Sequence, residues 1–342
     1  MKKLTLAISA LAAAFGATAA KADVSVSGSG SAAYIAPAGS GADAKLNVGQ
    51  FVSFGLSTTT ASGMTISGGM GLSNTITTNA GQAVSGGQSL TFATGGATIT
   101  VGDVEAADTP GSVGGVVGGQ VGDNGGLNSD VGSGFADDDG LGVAFSTAVG
   151  SSTLSFTYVG NDDVDTLGAI NADGTNALMS AGISMPLGGM TVSVGVADSD
   201  TGESASGASV STSIGGGTLV VGYSQQTLKT AEKSTAATYK LNTAASTATA
   251  IADAAVGNGD LDVDGDTTVM GATYTMALDA DTTIKLGYQN AKDADDDSTS
   301  QFDASISRAL GGGASVFLDL RNLSGDAQTS GSAVAVGTNV SF

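Results

Sequence analysis

The chain has 342 residues with 11 basic and 32 acidic side chains and no histidine, so its formal net charge is −21. This charge argues against nucleic acid as a partner and favours cations. Cysteine is also absent, which excludes a disulfide scaffold and, together with the missing histidine, most catalytic and zinc-binding residue sets. No spacing of serine, lysine or carboxylate side chains indicates a nucleophile with its base, so an enzyme is not expected.

The beginning of the chain is typical of an export signal. Two lysines after Met1 precede an apolar stretch from Leu4 to Ala20, and Ala20-Lys21-Ala22 forms an Ala-x-Ala cleavage site. We predict a signal peptide over residues 1–22 and one folded domain over residues 23–342. No later stretch reaches about 18 consecutive apolar residues, which excludes a helical membrane protein but not a β-barrel.

Apolar residues recur at every second position from Asp23 onward, which is the period of a β-strand. The first strand is predicted from Val24 to Ile35, and each later hairpin has one apolar face. The predicted hairpin turns lie at Thr58 to Gly63, Thr94 to Gly96, Gly150-Ser151, Pro186 to Gly189, Gly215 to Gly217, Asn242-Thr243, Asp279 to Asp281 and Gly311 to Gly313. The two strands joined by the predicted turn at Asn242 have the weakest alternation of apolar and polar residues, because Ala244 to Ala255 is nearly all alanine and threonine.

The connections between the strands alternate in length. Short turns alternate with longer acidic segments, as in bacterial barrels, which have short periplasmic turns and long outer loops. Counting along the chain predicts 18 strands with both ends on the short-turn side, or 16 if one of the two hairpins between Ala177 and Ser224 is a loop. We therefore predict an all-β fold, a transmembrane antiparallel β-barrel of 16–18 strands that is wide enough for an aqueous channel.

The stretch from Ala333 to Phe342 is an amphipathic strand. Its apolar face has Val334, Val336, Thr338, Val340 and Phe342, and the other face has Ala335, Gly337, Asn339 and Ser341. A last strand of a barrel must pair with the first, because an open edge in lipid leaves backbone groups unsatisfied. An edge strand of a soluble sandwich would show the same pattern, so the aromatic residues provide a separate test. Two belts of aromatic side chains are predicted, one at each membrane–water interface. The belt at the outer ends of the strands has Tyr34, Tyr158, Tyr223 and Tyr288, and the belt at the inner ends has Phe54, Phe92, Phe145, Tyr239 and Phe342.

The longest interruption of the strand pattern runs from Asp103 to Asp139. It has many glycines, no basic residue and eight acidic ones: Asp103, Glu105, Asp108, Asp123, Asp130, Asp137, Asp138 and Asp139. Folded into the lumen, the segment would form an acidic constriction that favours cations. A solvated outer loop has the same composition, and from the residues alone the two interpretations are equally good.

Several charged residues lie at the alternate strand positions that are predicted to face the lumen. They are Lys240, Lys285, Asp303, Asp319 and Arg321. Basic wall residues opposite an acidic loop would produce a transverse field, whereas isolated charges would merely be solvated in a wet interior.

The series Asp260, Asp262 and Asp264 with Gly265 resembles the start of a calcium loop. An EF-hand is excluded because Gly271 occupies the position of the bidentate glutamate. Weak calcium binding and simple loop solubility both remain open.

Four short motifs together resemble those of a Gram-negative general porin of the α-proteobacterial type. They are the Asp23 to Gly28 start, the Thr98 to Val104 strand before the long loop, the Leu310 to Ala314 turn and the terminal Phe342. The resemblance implies a homotrimer in the outer membrane, a third loop folded inside as the constriction, and passive diffusion of small hydrophilic solutes. It also implies that Phe342 belongs to the signal read by the barrel-assembly machinery, and that calcium can bind between outer loops. Two features differ: Arg308 and Arg321 are the only arginines, and 18 strands exceed the family's 16.

These observations predict a cation-preferring diffusion channel that needs no cofactor. The alternative is a structural or adhesive β-protein of the outer membrane or cell surface that does not conduct, with calcium held by its acidic loops.

Overall fold

The computed structural model describes residues 23–38, 45–75, 83–85, 89–105, 139–159, 177–199, 204–228, 265–292, 298–325 and 331–342. Every regular element in these ranges is a β-strand. The strands are β1 (Asp23–Ala38), β2 (Lys45–Thr59), β3 (Thr65–Thr75), β4 (Ala83–Ser85), β5 (Ser89–Thr94), β6 (Ala97–Glu105), β7 (Asp139–Val149), β8 (Ser152–Val159), β9 (Leu178–Leu187), β10 (Met190–Ser199), β11 (Ser204–Ile214), β12 (Gly217–Leu228), β13 (Gly265–Ala277), β14 (Thr282–Lys292), β15 (Ser298–Gly311), β16 (Ala314–Gly325) and β17 (Gly331–Ser341). Among the residues described, no helix is long and apolar enough to cross a membrane.

The strands form one antiparallel sheet that closes on itself. Apart from β4 and β5, consecutive strands pair with each other, and β1 pairs with β17 as well as with β2. β3 pairs with β5 at residues 65–68 and with β4 at residues 71–73, and only β5 continues to β6. The ring therefore has 16 strands, and the three-residue β4 is an additional short strand that pairs with β3 alone. Closure leaves no free edge, which is the condition for a sheet to cross lipid.

The antiparallel barrel is confirmed at the lower end of the predicted 16–18 strands, and the count of 18 is wrong. β12 pairs directly with β13 along its whole length, from Gly217↔Met276 to Leu228↔Gly265. No place in the ring remains for the hairpin predicted at Asn242, a residue that lies outside the described ranges. Both hairpins between Ala177 and Ser224 are present, as β9–β10 and β11–β12. The alanine and threonine repeat after Asn242 was misleading because alternation of such small residues does not distinguish a strand from a loop.

Tight turns lie at the end of the barrel where Asp23 and Phe342 are found. The β9–β10 turn shows why glycine occupies them: Gly188 and Gly189 have φ angles of 58° and 87°. Positive φ at both central residues defines the two-residue turn that suits the right-handed twist of a hairpin. The strand bounds leave two to five residues for each connection at this end, and from four residues (200–203) to 36 residues (229–264) at the opposite end, as predicted from the alternating lengths.

The barrel exposes apolar side chains and buries polar ones, the reverse of a soluble domain. On β17, Val336 is 52% exposed whereas its neighbour Ala335 is fully buried, as predicted for the final strand. The tyrosines of the predicted outer belt, Tyr34, Tyr158, Tyr223 and Tyr288, are each between 46% and 50% exposed. Of the inner belt, Tyr239 lies outside the described residues.

Candidate pore wall and barrel seam

Two neighbouring strands, β15 and β16, carry a group of charged and polar side chains on the inner face of the barrel. Successive side chains of a strand point to opposite faces, and Phe302, Leu318 and Leu320 are exposed on the outer face. The alternate residues are buried and include Gln301, Asp303, Ser305, Asp319 and Arg321, which we call the wall cluster. Charge inside a barrel and apolar surface outside it are the arrangement expected of a channel.

An ion pair forms the centre of the wall cluster. Asp303 and Arg321 are directly opposite each other in the β15–β16 register, and Nε of Arg321 donates to Oδ1 of Asp303 at 2.8 Å. The side chain of Arg321 is 1% exposed and that of Asp303 is 4% exposed. Nε2 of Gln301 donates to the second carboxylate oxygen of Asp303 at 2.5 Å. Both oxygens of Asp303 thus accept hydrogen bonds, as a buried carboxylate requires.

The other members of the wall cluster extend this network. Oγ of Ser305 donates to Oδ1 of Asp319 at 2.6 Å, across the same pair of strands. The terminal nitrogens of Arg321, Nη1 and Nη2, are buried and have no hydrogen-bond partner in the described part of the chain. Leaving such donors unsatisfied is costly, so this guanidinium has unused capacity to bind an acceptor.

The two predicted lysines of the wall are located differently. Lys285 on β14 is half-buried and lies opposite Ser305 in the β14–β15 register, next to the wall cluster. Lys240 lies outside the described residues.

The predicted acidic constriction is described only at its two ends. Asp103 and Glu105 belong to the end of β6 and Asp139 begins β7, and the backbones of Glu105 and Asp139 are paired. The segment therefore leaves and re-enters the barrel at neighbouring positions. Asp108, Asp123, Asp130, Asp137 and Asp138 lie outside the described residues. The same holds for Asp260, Asp262 and Asp264, and the described ranges contain no cluster of three or more acidic residues that could hold a metal ion.

The wall cluster and the ends of the acidic segment lie on opposite sides of the barrel. Going round the ring, seven strands separate β7 from β15 and five separate β16 from β6. A segment that begins at β6 and enters the lumen would therefore extend toward β15 and β16.

The seam between β1 and β17 includes the predicted assembly residue, Phe342. Its backbone exchanges two hydrogen bonds with Gly28, at 2.8 and 2.9 Å. The Phe342 ring lies where a side chain at residue 28 would be, and a Cβ on Gly28 would clash with ring atoms Cε2 and Cζ. A glycine at residue 28 thus allows the C-terminal aromatic ring to lie over β1, a contact that strand alternation alone does not predict.

The sequence did not single out Gln301 and Ser305 as residues of the wall, although they lie two positions before and after Asp303 and therefore face the same side of β15. A second ion pair, between Arg308 and Asp279, was also missed. Nη1 of Arg308 lies 3.5 Å from Oδ2 of Asp279, with both side chains more than half exposed, and donates to Oγ1 of Thr282 at 3.0 Å. This pair links the inner end of β15 to the β13–β14 turn.

The closed antiparallel ring with an apolar exterior and a polar, charged interior defines a transmembrane β-barrel. The chain belongs to the Gram-negative porin family, whose model matches residues 7–328. Porins are channel proteins rather than enzymes, and the family and fold together support an outer-membrane channel for diffusion.

Several solved porin structures resemble this barrel. An anion-selective porin from Comamonas acidovorans has a TM-score of 0.64 at 13% identity, over 94% of this chain and 100% of that chain. A refined porin structure has a TM-score of 0.62 at 17% identity, with coverages of 94% and 100%. A loop-deletion variant of the outer-membrane protein OmpT of Vibrio cholerae has a TM-score of 0.63 at 11% identity, with coverages of 94% and 99%. Identities this low establish the fold alone, and no curated protein matches the chain in sequence.

Proposed function

We propose that this protein is a porin of the α-proteobacterial type through which small hydrophilic solutes and ions diffuse passively, with a preference for cations. The observation that carries the proposal is the closed barrel with charged side chains on its inner face. On β14 to β16 the acidic Asp303 and Asp319 are balanced by Arg321 and Lys285. The preference for cations therefore depends on the eight acidic residues of the segment from Asp103 to Asp139, which has no basic residue. A barrel of about 16 strands leaves an aqueous channel. Net negative charge along such a channel attracts cations and repels anions.

The proposal includes an acidic constriction formed by residues 103–139 inside the lumen. The location of β6 and β7 across the barrel from β15 and β16 supports this arrangement. The free terminal nitrogens of Arg321 also support it, because a guanidinium suits carboxylate oxygens. The segment has eight acidic residues, so contact with one of them would leave the others to line the pore.

The decisive experiment is single-channel recording of the refolded protein in a planar bilayer, with a salt gradient to give the reversal potential. We expect long-lived openings with a cation-selective reversal potential. Neutralising Asp137, Asp138 and Asp139 together should shift the reversal potential toward zero. The matched control is the neutralisation of Asp295, Asp296 and Asp297, which removes the same number of charges from another connection. Equal effects of the two triple variants would refute a constriction at residues 137–139.

The absence of cysteine allows a direct test of where the acidic segment lies. A single cysteine at Gly118 should react with a cationic thiosulfonate and reduce the current if the segment lines the pore. A single cysteine at Asp296 serves as the control. Labelling at residue 118 that leaves the current unchanged would show that the segment lies outside the conduction path.

The remaining parts of the proposal concern export, assembly and ions. Residues 1–22 act as the signal peptide, three copies form a homotrimer, and the barrel-assembly machinery reads the strand that ends at Phe342. The channel requires no cofactor, and any calcium would bind the outer connection at Asp260, Asp262 and Asp264. N-terminal sequencing of the exported protein, chemical cross-linking in membranes and calcium titration test these points separately.

The alternative function is a structural or adhesive barrel that does not conduct. A protein that inserts into the bilayer in the recordings described above but never opens would favour that alternative over the channel.

A further inference from the structure

The outer face of the barrel has a charged site near the tight turns, formed by Arg308 of β15 and Asp279 of the β13–β14 turn. The neighbours of Arg308 on the same face of β15 are apolar, since Ile306 is 38% exposed and Leu310 is 59% exposed. Arg308 lies three residues before Gly311, at the beginning of the next turn. Its aliphatic part therefore lies among apolar side chains, and its guanidinium extends to the level of the lipid head groups.

Arg308 is the one basic side chain with this position in the part of the chain that the structure describes. Two of the other basic residues there, Lys285 and Arg321, face the lumen. The remaining two, Lys45 and Lys292, lie at strand ends on the opposite side of the membrane.

The turn that contains Asp279 holds both charged groups in place. Oδ1 of Asp279 accepts hydrogen bonds from the backbone N–H groups of Asp281 at 2.9 Å and Thr282 at 2.7 Å, and its Oδ2 lies 3.5 Å from Nη1 of Arg308. Nη1 also donates to Oγ1 of Thr282 at 3.0 Å. The guanidinium is thus fixed through one nitrogen, while Nε and Nη2 have no partner among the described residues and the side chain is 55% exposed. Such a free edge of a guanidinium suits a phosphate, because two parallel N–H groups can bind it together.

The charges around Arg308 determine which phosphate-bearing group fits. Asp279 and Asp281 place two carboxylates beside the single guanidinium, so negative charge is in excess. The carboxylates repel an anionic head group, whereas Asp279 attracts an ammonium group that lies next to the phosphate. The short turns of bacterial barrels are periplasmic, and the periplasmic leaflet of an outer membrane consists of phospholipid. A phosphate with an adjacent ammonium group is therefore present in the lipid at this end of the barrel.

We propose that Arg308 and Asp279 bind the head group of a periplasmic-leaflet phospholipid of the phosphatidylethanolamine type. The phosphate accepts hydrogen bonds from Nε and Nη2 of Arg308, and the ammonium group pairs with Oδ2 of Asp279. One acyl chain lies along Ile306 toward the middle of the bilayer. The proposal rests on the outer-membrane location and not on conduction, so a failure of the channel recordings would leave it unaffected.

The chain contains no tryptophan, so an introduced one is a unique fluorescent reporter. Ile306→Trp places it two residues from Arg308 on the same face of β15. Ile183→Trp is the matched control, because Ile183 lies on the outer face of β9 five residues before the turn glycine Gly188, as Ile306 does before its own turn. At the place that corresponds to Arg308, β9 has the apolar Met185.

Each variant is reconstituted into vesicles of dioleoyl phosphatidylcholine containing either dibrominated phosphatidylethanolamine or dibrominated phosphatidylglycerol, which quench tryptophan on contact. At residue 306 we expect the phosphatidylethanolamine to bind about two to five times more strongly than the phosphatidylglycerol, the range given by one exposed ion pair. At residue 183 the two lipids should quench equally. Comparing the two lipids at each position removes any effect of the depth of the tryptophan.

Three further variants in the Ile306→Trp background separate the two contacts of the head group. Arg308→Met removes the phosphate contact and should reduce the preference to the level found at residue 183. Asp279→Asn keeps an oxygen for the backbone N–H groups of the turn but removes the charge, so it should abolish the preference by strengthening the binding of phosphatidylglycerol. Asp281→Asn removes a neighbouring carboxylate that, within the described contacts, forms no ion pair with Arg308, and it should change the preference less than Asp279→Asn. The electrophoretic mobility of the folded barrel verifies that each variant has folded.

Four results would overturn the proposal. Equal preferences at residues 306 and 183 would mean that the site selects no head group. A preference for phosphatidylglycerol at residue 306 would contradict the assignment of the ammonium group. A preference for phosphatidylethanolamine that persists in Arg308→Met would show that the arginine does not bind the lipid. Loss of the preference on addition of inorganic phosphate would show that the site takes dissolved phosphate rather than a lipid head group.

Discussion

The ion pair between Asp303 and Arg321 provides a sharp test of the interior of the barrel. Removing one member of a buried pair leaves the other charge without its partner, which typically costs about 3–5 kcal/mol. Here the Nε to Oδ1 distance is 2.8 Å and both side chains are almost completely buried. Arg321→Met keeps the length of the side chain but leaves the Asp303 carboxylate with the hydrogen bond from Gln301. We therefore expect the free energy of unfolding to fall by about 3 kcal/mol or more.

The double variant Asp303→Leu with Arg321→Met should recover most of this loss, because two apolar side chains leave no buried charge. A matched control is Arg308→Met, which breaks the ion pair with Asp279. That pair is 3.5 Å long and its side chains are 55% and 53% exposed, so its loss should cost less than about 1 kcal/mol.

The assay is urea unfolding of the four proteins in lipid vesicles, followed by tyrosine fluorescence and by the electrophoretic mobility of the folded barrel. Arg321→Met should also increase cation selectivity in bilayer recordings, since it removes a positive charge from the wall. If Arg321→Met and Arg308→Met destabilise the barrel equally, or if the double variant is no more stable than Arg321→Met alone, the inferred burial of the ion pair is wrong.

Three further predictions concern the seam, a turn and the C terminus. Gly337→Ala should prevent closure of the barrel, because its Cβ would lie 2.5 Å from the carbonyl oxygen of Ala32 and from Cζ of Phe317. Gly30→Ala should fold normally, because no atom lies nearer than 3.8 Å to the added Cβ. The yield of folded barrel after refolding measures the effect of both substitutions. Hydrogen bonding from the backbone N–H of Asp281 is the main cause that lowers the pKa of Asp279 from its ordinary value of 3.8. The ionised Asp279 therefore stabilises the turn fully above pH 3.8, and this stabilisation is lost as the pH falls through the lower pKa of the folded state. In Asp279→Asn the urea midpoint of unfolding should no longer show the decrease in acid that Asp279 causes. Phe342→Ala keeps the backbone bonds to Gly28 and should leave the refolded barrel nearly as stable while reducing its insertion in cells; equal insertion of both proteins would contradict a role for the ring in assembly.

The strand pattern and the tight turns could be predicted from the sequence because both depend on neighbouring residues. Alternation along β17 assigned Val336 to the outside and Ala335 to the inside. Glycines such as Gly188 and Gly189 indicated turns because positive φ suits glycine. The length difference between alternate connections indicated a membrane barrel, and the family match agrees with that interpretation.

The number of strands and the contacts between them needed the tertiary structure. Parity assigns a face to each residue of a strand, but it does not identify the neighbouring strand or the register. For this reason β12 and β13 were wrongly separated by a hairpin, and the contact of Gln301 and Arg321 with Asp303 was missed. The contact of the Phe342 ring with Gly28 likewise arises between strands. The sequence by itself determined a membrane barrel with a polar interior, since that follows from local periodicity. Only closure of the ring decided which charged groups meet on its wall, because pairing between distant strands sets the register.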